Sequence, residues 1–278
     1  MDTTKTPTSA EAGRTDHARA RGDDARVAVI VACGGKGVRF HQNVDPDKKP
    51  IVAKQFALLA GKPVLAHTLD VLEAHPNVCR VVLVLPARYM DAGEALVQGQ
   101  YAGMDGRGYR KVSAILAGGA DRQASVEHGL AALDKAGWLG PVLVHDGVRP
   151  CTPSAVYDRV IEGVYALGNA VAAIPLRDTI KRVDAQGVVL ETLDRQDIWQ
   201  IQTPQGFWMA ELMDAYALAR RRGIRATDDA GLMEALGRQV HLVPGDPANS
   251  KLTDPGDLDV LEALLARRQV EAAVVGGQ

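Results

Sequence analysis

The chain has 278 residues, of which 46% are hydrophobic, so it can bury a large core as one α/β domain or two smaller ones. A formal net charge of −2 gives no global basic field for nucleic acid, so any anion site must be a local cluster of cations. The three cysteines are widely spaced, which argues against a disulfide framework or a zinc site and favours a reducing, cytoplasmic compartment.

The N-terminal segment is polar throughout and lacks the apolar stretch of a secretory signal. We therefore expect residues 1–25 to be a solvated, disordered tail. No apolar run in the chain approaches the roughly 20 residues that a membrane helix needs, so no membrane partner is expected. With no sign of an interdomain linker, residues 26–270 are predicted to form a single domain.

Short apolar, β-branched runs then alternate with helical patterns. Strands are predicted at 26–33, 79–86, 111–118, 141–147 and 169–176, and helices at 62–75, 121–137 and 152–168. Strands that are almost continuously apolar are typical of a parallel sheet covered on both faces, so we predict an α/β fold with a doubly wound, mainly parallel, Rossmann-like sheet. Ligands bind such sheets beyond the carboxyl ends of the strands, where polar segments begin at Gly34, Gly118 and Asp146.

The alternation stops after the fifth strand. Two strand-like pieces flank a DAQG turn, and a third piece, IWQIQ, follows without a crossover helix. This pattern predicts an antiparallel β-arm at about 176–203 that leaves the sheet. Helices at 209–222, 228–236 and 255–268 and a strand at 238–244 are predicted to complete the chain. Asp254 precedes a proline and is the predicted N-cap of the last helix.

A glycine-rich loop, VIVACGGKGVRF, follows the first strand at residues 29–40. It does not match the Walker pattern, because Lys36 is followed by glycine, or the dinucleotide pattern, whose third glycine would fall on Phe40. Glycine has no Cβ, so the N–H groups of the 34–37 turn could approach a triphosphate closely. The loop alone fits either a phosphate cradle or a tight turn with solvent-facing charges.

Later segments favour the phosphate cradle. In order, the chain carries AKQFALLAGKPVL, GGADRQASV, VHDGVRP, RDTIKR, TLDRQDIWQIQTPQ, TDD and NSKLTDPGDL. Over residues 26–268 this series resembles the cytidylyltransferase family of the methylerythritol phosphate pathway of isoprenoid synthesis. The resemblance implies transfer of CMP from CTP to 2-C-methyl-D-erythritol 4-phosphate, with release of pyrophosphate.

The resemblance also implies where the nucleotide binds. The groups expected to contact CTP lie in the glycine-rich loop and at two other strand ends: Ala32, Cys33, Gly34, Gly35, Gly37, Gly118, Gly119, Ala120, Ser125, Asp146 and Gly147. Some relatives carry an acid where this chain has Ala120, so backbone contacts would have to select cytosine. Asp146 is also the expected ligand of Mg²⁺, the implied cofactor, although a turn or N-cap role is common for a carboxylate at a strand exit.

Cations rather than a general base are expected to drive this reaction, because the attacking phosphate oxygen is already ionised at neutral pH. The resemblance assigns Arg39 and Lys54 to stabilising the transferring phosphoryl group. Lys36 occupies a variable position in the family and is not expected to be catalytic. His145 is expected to be a packed neighbour of the site. Without the resemblance, Arg39 would be a surface charge and Lys54 a solvated helix start.

The second substrate is a phosphorylated polyol, and Arg195 and Lys251 are expected to clamp its phosphate. Thr179 is the predicted helper of Arg195, and Arg149 and Asp146 are predicted to contact the alcohol. Because Thr179 and Arg195 lie on the arm, which in this family completes the partner subunit's site, a homodimer with shared sites is expected. A ribitol 5-phosphate cytidylyltransferase and a catalytically silent nucleotide-binding scaffold are the alternatives.

Overall fold

The computed structural model describes residues 25–33 and 53–276. All but the last residue of the predicted N-terminal tail, and the glycine-rich loop from Gly34 onward, lie outside these ranges. The strands are β1 (Val27–Ala32), β2 (Leu58–Leu59), β3 (Lys62–Pro63), β4 (Val78–Leu85), β5 (Val112–Ala117), β6 (Pro141–Asp146), β7 (Asn169–Pro175), β8 (Lys181–Val183), β9 (Val189–Thr192), β10 (Trp199–Trp208) and β11 (Leu242–Pro244). The helices are α1 (Val64–Ala74), α2 (Met90–Val97), α3 (Arg122–Lys135), α4 (Ser154–Leu167), α5 (Met209–Arg222), α6 (Asp229–Ala235) and α7 (Asp257–Gly276).

Seven of these strands form one sheet in the order β11-β7-β10-β6-β1-β4-β5. Every neighbouring pair is parallel except the two pairs that β10 makes, with β6 and with β7, which are antiparallel. The predicted α/β class with a mainly parallel sheet is therefore confirmed. The carboxyl ends of β1 and β6 lie side by side, because Ala32 is the register partner of Asp146.

Strand β1 explains why its sequence is continuously apolar. All six of its residues are buried, and successive side chains point to opposite faces of the sheet. Val29 and Val31 pack in the same core cluster as Leu65 of α1, whereas Ile30 packs with Leu130 of α3 in a second cluster on the other face. Helices on both faces thus remove the alternation of polar residues that a half-exposed strand would show.

The predicted β-arm is a two-stranded antiparallel ribbon, β8 with β9. Every residue of these two strands is exposed, and so are the first three residues of β10. The next six residues of β10 are buried, because this half of the strand inserts between β6 and β7. The sequence predicted the ribbon but not that the strand returning from it becomes a central strand of the sheet.

Three local features differ from the predictions. Helix α2 and the short β2–β3 hairpin were not predicted from the sequence. The last helix begins at Asp257 rather than at Pro255, so the predicted cap at Asp254 is two positions too early. The Asp257 carboxylate instead accepts hydrogen bonds from the N–H groups of Thr253 and Asp254, at 2.7 and 2.9 Å.

The thiols of all three cysteines are unpaired. Within the described ranges, none of the helices combines the length and the hydropathy that a membrane span requires.

Gly206 of β10 provides a test of how tightly this strand is packed. A Cβ added at Gly206 would lie 2.5 Å from Val164 Cγ2 and 2.8 Å from Val160 Cγ1, both on α4. We expect Gly206→Ala to lower the free energy of unfolding by about 1–3 kcal/mol, because these branched side chains have little room to move. Urea denaturation monitored by circular dichroism measures the change.

Gly256 is the matched control, because a Cβ there would meet nothing within 4 Å. Gly256→Ala should change the free energy of unfolding by less than about 0.5 kcal/mol. Equal denaturation midpoints for the two variants would contradict the close packing of α4 on β10.

Candidate active site

Three strand ends meet at one edge of the sheet, as the sequence predicted. Backbone hydrogen bonds extend the ladders beyond the strands: Cys33 N–H donates to Val84 O at 2.8 Å, and Gly118 N–H donates to Leu85 O at 2.7 Å. Gly147 N–H reaches Ala32 O at 3.3 Å. The segments that follow β1, β5 and β6 are therefore tied together at the place where this kind of sheet binds ligands.

Asp146, the last residue of β6, lies at the centre of this edge. Its carboxylate is almost completely buried and faces three cations. Lys251 Nζ lies 3.0 Å and Arg149 Nε 3.2 Å from Oδ2, and Arg122 Nε lies 3.6 Å from Oδ1. The site therefore consists of one anion surrounded by cations that come from three separate segments of the chain.

The Asp146 carboxylate keeps its negative charge when the pH changes near neutrality. Burial raises its pKa, but the positive charges of Lys251, Arg149 and Arg122 outweigh burial and hold the pKa well below its usual range. The carboxylate consequently stays ionised over the physiological range. It can orient cations or accept hydrogen bonds, but it cannot act as a general acid near neutral pH.

The loop before α7 connects Lys54 and Lys251 to this edge of the sheet. Lys54 Nζ donates to Leu252 O at 3.1 Å, and Leu252 N–H donates to Val148 O at 2.9 Å. Both lysines also act on the thiol of Cys33, whose pKa rises to about 12 because of burial and Asp146, against their opposing charges. The structure thus brings together the predicted residues Lys54, Lys251 and Asp146, with Cys33 as a protonated, unreactive thiol beside them.

Arg149 is more deeply embedded than a substrate-facing arginine needs to be. It is only 9% exposed, and besides Asp146 it contacts the carbonyl of Asn249, to which Nη1 donates at 2.8 Å. Its observed role is to join the turn after β6 to the loop that carries Lys251. Direct contact with the alcohol substrate stays a prediction.

Asn249 was not singled out from the sequence, although it lies two positions before Lys251. It is completely buried, and its amide donates to Thr203 O at 2.8 Å and to Gln202 Oε1 at 3.1 Å. Its Oδ1 accepts from Thr152 Oγ1 at 2.7 Å. The side chain therefore fixes the loop of Lys251 against both β10 and the start of α4. The segment NSKLTDPGDL contains this residue, but nothing in its local pattern indicates these distant partners.

The segment after β5, predicted to bind the base, is held by its own hydrogen bonds. Ser125 is fully buried; its hydroxyl donates to Asp121 O at 2.8 Å and accepts from Gly119 N–H at 3.1 Å. A Cβ at Gly119 would collide with Ala124. The observed role of Ser125 is to shape the loop, and its contact with CTP stays a prediction.

Ala120 is exposed at the tip of this loop, and the acid that follows it is already engaged. Asp121 Oδ1 accepts from Ala124 N–H at 2.8 Å as the N-cap of α3, and Oδ2 pairs with Arg225 at 2.7 Å. Asp121 therefore does not replace the acid that some relatives carry at position 120. Selection of cytosine by backbone groups remains the expectation.

Gly147 has a packing reason for being glycine. A Cβ there would collide with Cys33 Sγ and would lie 2.9 Å from Val31 Cγ1 and 3.0 Å from Leu65 Cδ1. The absence of a side chain thus allows β6 to pack beside β1. The predicted contact of Gly147 with CTP is not needed to explain the glycine.

His145 is buried and neutral, as expected of a packed neighbour. Burial lowers its pKa to about 3, with the nearby cations adding to the effect and Asp146 opposing it. Its Nδ1 lies 3.0 Å from Thr203 Oγ1, which also accepts a hydrogen bond from Asp146 N–H at 3.0 Å. The imidazole and the hydroxyl together hold the end of β6.

The structure does not bring all predicted residues to this cluster. Thr179 and Arg195 are exposed on the arm, where Arg195 Nη1 donates to the carbonyl of Arg177. Among the described residues, the ion pairs of Asp146 involve neither of these side chains. Four predicted residues of the glycine-rich loop lie outside the described ranges: Gly34, Gly35, Gly37 and Arg39. Lys36 lies outside them as well.

The fold and the site by themselves indicate a class of protein. Cations that converge beyond the strand ends of a doubly wound sheet are typical of α/β proteins that bind phosphorylated nucleotides. The family model of 2-C-methyl-D-erythritol 4-phosphate cytidylyltransferase, IspD, matches residues 27–267. The chain belongs to this family, whose members are cytidylyltransferases.

Individual relatives agree with the family. The chain is 42% identical over 240 residues to a 2-C-methyl-D-erythritol 4-phosphate cytidylyltransferase of Geotalea uraniireducens, covering 86% of this chain and 97% of the relative. It is 40% identical over 252 residues to that of Pelotomaculum thermopropionicum, covering 91% and 99%. The crystal structure of the Thermus thermophilus enzyme superposes with a TM-score of 0.64 at 32% identity, covering 86% of this chain and 98% of that one.

Asn249 yields a testable prediction about the loop of Lys251. Asn249→Ala removes the donor to Thr203 O and the acceptor for Thr152 Oγ1, so we expect the free energy of unfolding to fall by about 1–3 kcal/mol. The loop should also lose its position, and cytidylyltransferase kcat/KM should fall. Denaturant titration and steady-state kinetics measure the two effects.

Ser250→Ala is the matched control, because this half-buried neighbour lies in the same loop. It should leave both quantities near those of the unsubstituted protein. If Asn249→Ala behaves like Ser250→Ala, the amide network does not position the loop.

Proposed function

We propose that this chain transfers CMP from CTP to 2-C-methyl-D-erythritol 4-phosphate, producing 4-diphosphocytidyl-2-C-methyl-D-erythritol and pyrophosphate. Membership of the family supports the substrates. The observation that carries the proposal is the convergence of Lys54 and Lys251 on the edge where Asp146 ends β6. An ionised phosphate acceptor needs such cations and no general base.

The chemistry is one displacement at phosphorus. A phosphate oxygen of the polyol forms a new P–O bond with the α-phosphorus of CTP, while the bond from that phosphorus to the bridging oxygen breaks. Pyrophosphate leaves with the electron pair, and no proton transfer is required. Catalysis therefore consists of holding two anions in line and stabilising the charge that spreads over the α-phosphoryl oxygens.

We propose that two groups of cations have separate roles in this reaction. Lys54, together with Arg39, stabilises the transferring phosphoryl group. Lys251 binds the phosphate of the polyol, with Arg195 and Thr179 supplied by the arm. The 39% exposure of the Lys251 side chain supports this role, since the amine contacts Asp146 and is still accessible to an incoming anion.

Mg²⁺ is part of the proposal, with Asp146 as its protein ligand. Among the described residues no three acidic, histidine or cysteine side chains gather into a metal cage. Oδ1 of the ionised Asp146 carboxylate has the longer contact, 3.6 Å to Arg122, and is the oxygen that would hold the ion. Mg²⁺ is commonly held by one or two carboxylates together with substrate phosphates. When bound, the ion would neutralise phosphate charge.

We further propose a homodimer in which each arm completes the partner's site. The arm exposes a group of apolar side chains that are 49–61% accessible, which supports burial against a second copy: Val183, Val188, Val189 and Leu190. The separation of Thr179 and Arg195 from the Asp146 cluster fits an arm that acts on another subunit. The three unpaired thiols fit a reducing compartment, and we place the enzyme in the cytoplasm.

The substrate assignment can be tested by pyrophosphate release. Purified protein with CTP and Mg²⁺ should release pyrophosphate with 2-C-methyl-D-erythritol 4-phosphate, and kcat/KM should be at least about 100-fold lower with ribitol 5-phosphate. A coupled phosphate assay measures both rates. Faster release with ribitol 5-phosphate would refute the assignment, and CTP binding without turnover of either substrate would favour a silent scaffold.

Subunit exchange can test the shared site. Lys54→Met should reduce kcat by about 10²–10³, because a cation at the reacting phosphoryl group is lost, and Arg195→Ala should also be inactive. Mixed subunits should recover about a quarter of the unsubstituted activity, because half of the dimers are hybrids and each hybrid has one intact site.

Native mass spectrometry of differently tagged chains provides the control, because it counts hybrid dimers directly. Hybrids without activity would show that the arm serves its own subunit. A chain that stays monomeric at assay concentration and is active would refute the dimer itself.

A further inference from the structure

One half-buried arginine, Arg122, lies between two buried carboxylates. Arg122 opens α3 inside GGADRQASV (118–126), the base segment predicted to bind cytosine, and its Nη2 lies 2.7 Å from Asp229 Oδ2. Its Nε lies 3.6 Å from Asp146 Oδ1. Arg122 therefore connects the base segment, the first residue of α6 and the central carboxylate of the site. No role was predicted from the sequence for Arg122 or Asp229.

Hydrogen bonds from α5 and to β10 hold Asp229 in place. The residue is completely buried, and Tyr216 of α5 donates to its Oδ1 at 2.6 Å. Its backbone N–H donates to Gln205 Oε1 at 3.1 Å, and Gln205 Nε2 donates to Asp228 Oδ2 at 2.9 Å. Burial lowers the pKa of Arg122, but the charges of Asp229 and Asp146 outweigh it and raise the pKa above its usual value. The guanidinium thus remains charged between two fixed anions.

Stability alone does not explain this arrangement. A buried ion pair is often no more stabilising than apolar residues of the same volume, whereas loss of one partner is strongly destabilising. The geometry is more informative. Lys251 and Arg149 contact Oδ2 of Asp146, whereas Arg122 faces Oδ1. The guanidinium of Arg122 is closer to Asp229, at 2.7 Å, than to Oδ1 of Asp146, at 3.6 Å. Asp229 therefore holds the guanidinium away from Oδ1.

We propose that Arg122 and Asp229 form a positioning pair that sets the orientation of the Asp146 carboxylate and the placement of the base segment relative to it. This inference rests on the proposed function, because Asp146 and Lys251 matter as parts of that site. Without Asp229, the Arg122 guanidinium would move towards Asp146 and compete there with Lys251. The phosphate-binding amine would then lose its fixed partner.

Three variants separate positioning from stability: Asp229→Asn, Arg122→Met and the double variant. Arg122→Met leaves the buried Asp229 carboxylate without its close cation, and Asp229→Asn leaves the half-buried guanidinium without its close anion. We therefore expect each single variant to have a lower melting temperature and a lower kcat/KM for the polyol phosphate. The double variant removes both charges, so its melting temperature should recover towards that of the unsubstituted protein. Its kcat/KM should stay at least about tenfold reduced, because the carboxylate is no longer oriented.

A double variant that recovers both melting temperature and kcat/KM would overturn the inference, since the pair would then be purely structural. The exposed pair of Arg220 and Glu127, separated by 2.6 Å, is the control. Arg220→Met with Glu127→Gln should change neither quantity, because an exposed pair contributes little.

CTP affinity, measured by calorimetry, tests the role of the Arg122–Asp229 pair independently of the substrate assignment. If the unsubstituted protein turns over neither polyol phosphate, the proposed function fails, and CTP affinity then decides the role of the pair. The double variant should bind CTP at least about fivefold more weakly, because the base segment loses its connection to Asp146. Unchanged CTP affinity together with a recovered melting temperature would overturn the positioning role in that case.

Discussion

A carboxylate that is almost completely buried requires compensating charge, and Asp146 obtains it from Arg122, Arg149 and Lys251. Loss of one partner from such a cluster typically costs about 3–5 kcal/mol, so the carboxylate and its cations constrain one another. Each cation lies in a different segment: the start of α3, the turn after β6 and the loop before α7. One charged group thus determines how three distant parts of the chain meet at the edge of the sheet.

The same constraint accounts for how the site can bind anions in a chain with slight net negative charge. Cations brought close together repel one another, and the fixed negative charge of Asp146 reduces that repulsion before any phosphate arrives. Neutral groups then support the arrangement. Asn249 fixes the loop of Lys251, and Thr203 binds the backbone of Asp146. A site prepared in this way needs little reorganisation when charge develops at the reacting phosphorus.

Most of the fold was predictable because local patterns report burial directly. Continuous apolar runs identified β1, β4 and β6, and the helical periodicity of residues 62–75 identified α1. Helix α2 lacked a distinct signal in a stretch rich in glycine and polar residues. The burial of the second half of β10 could not be predicted either, because its partners β6 and β7 lie earlier in the chain, on the other side of the arm.

The sequence by itself determined the α/β class, the strand ends that form the site and, through the resemblance, the roles proposed for Lys54, Asp146 and Lys251. Only the tertiary structure decided which groups pair. Arg149 contacts the carbonyl of Asn249 across 100 residues, and Arg122 contacts Asp229. Periodicity and turn chemistry act over a few residues, whereas ion pairs and hydrogen bonds depend on distances and angles that exist only after the helices have packed on the sheet.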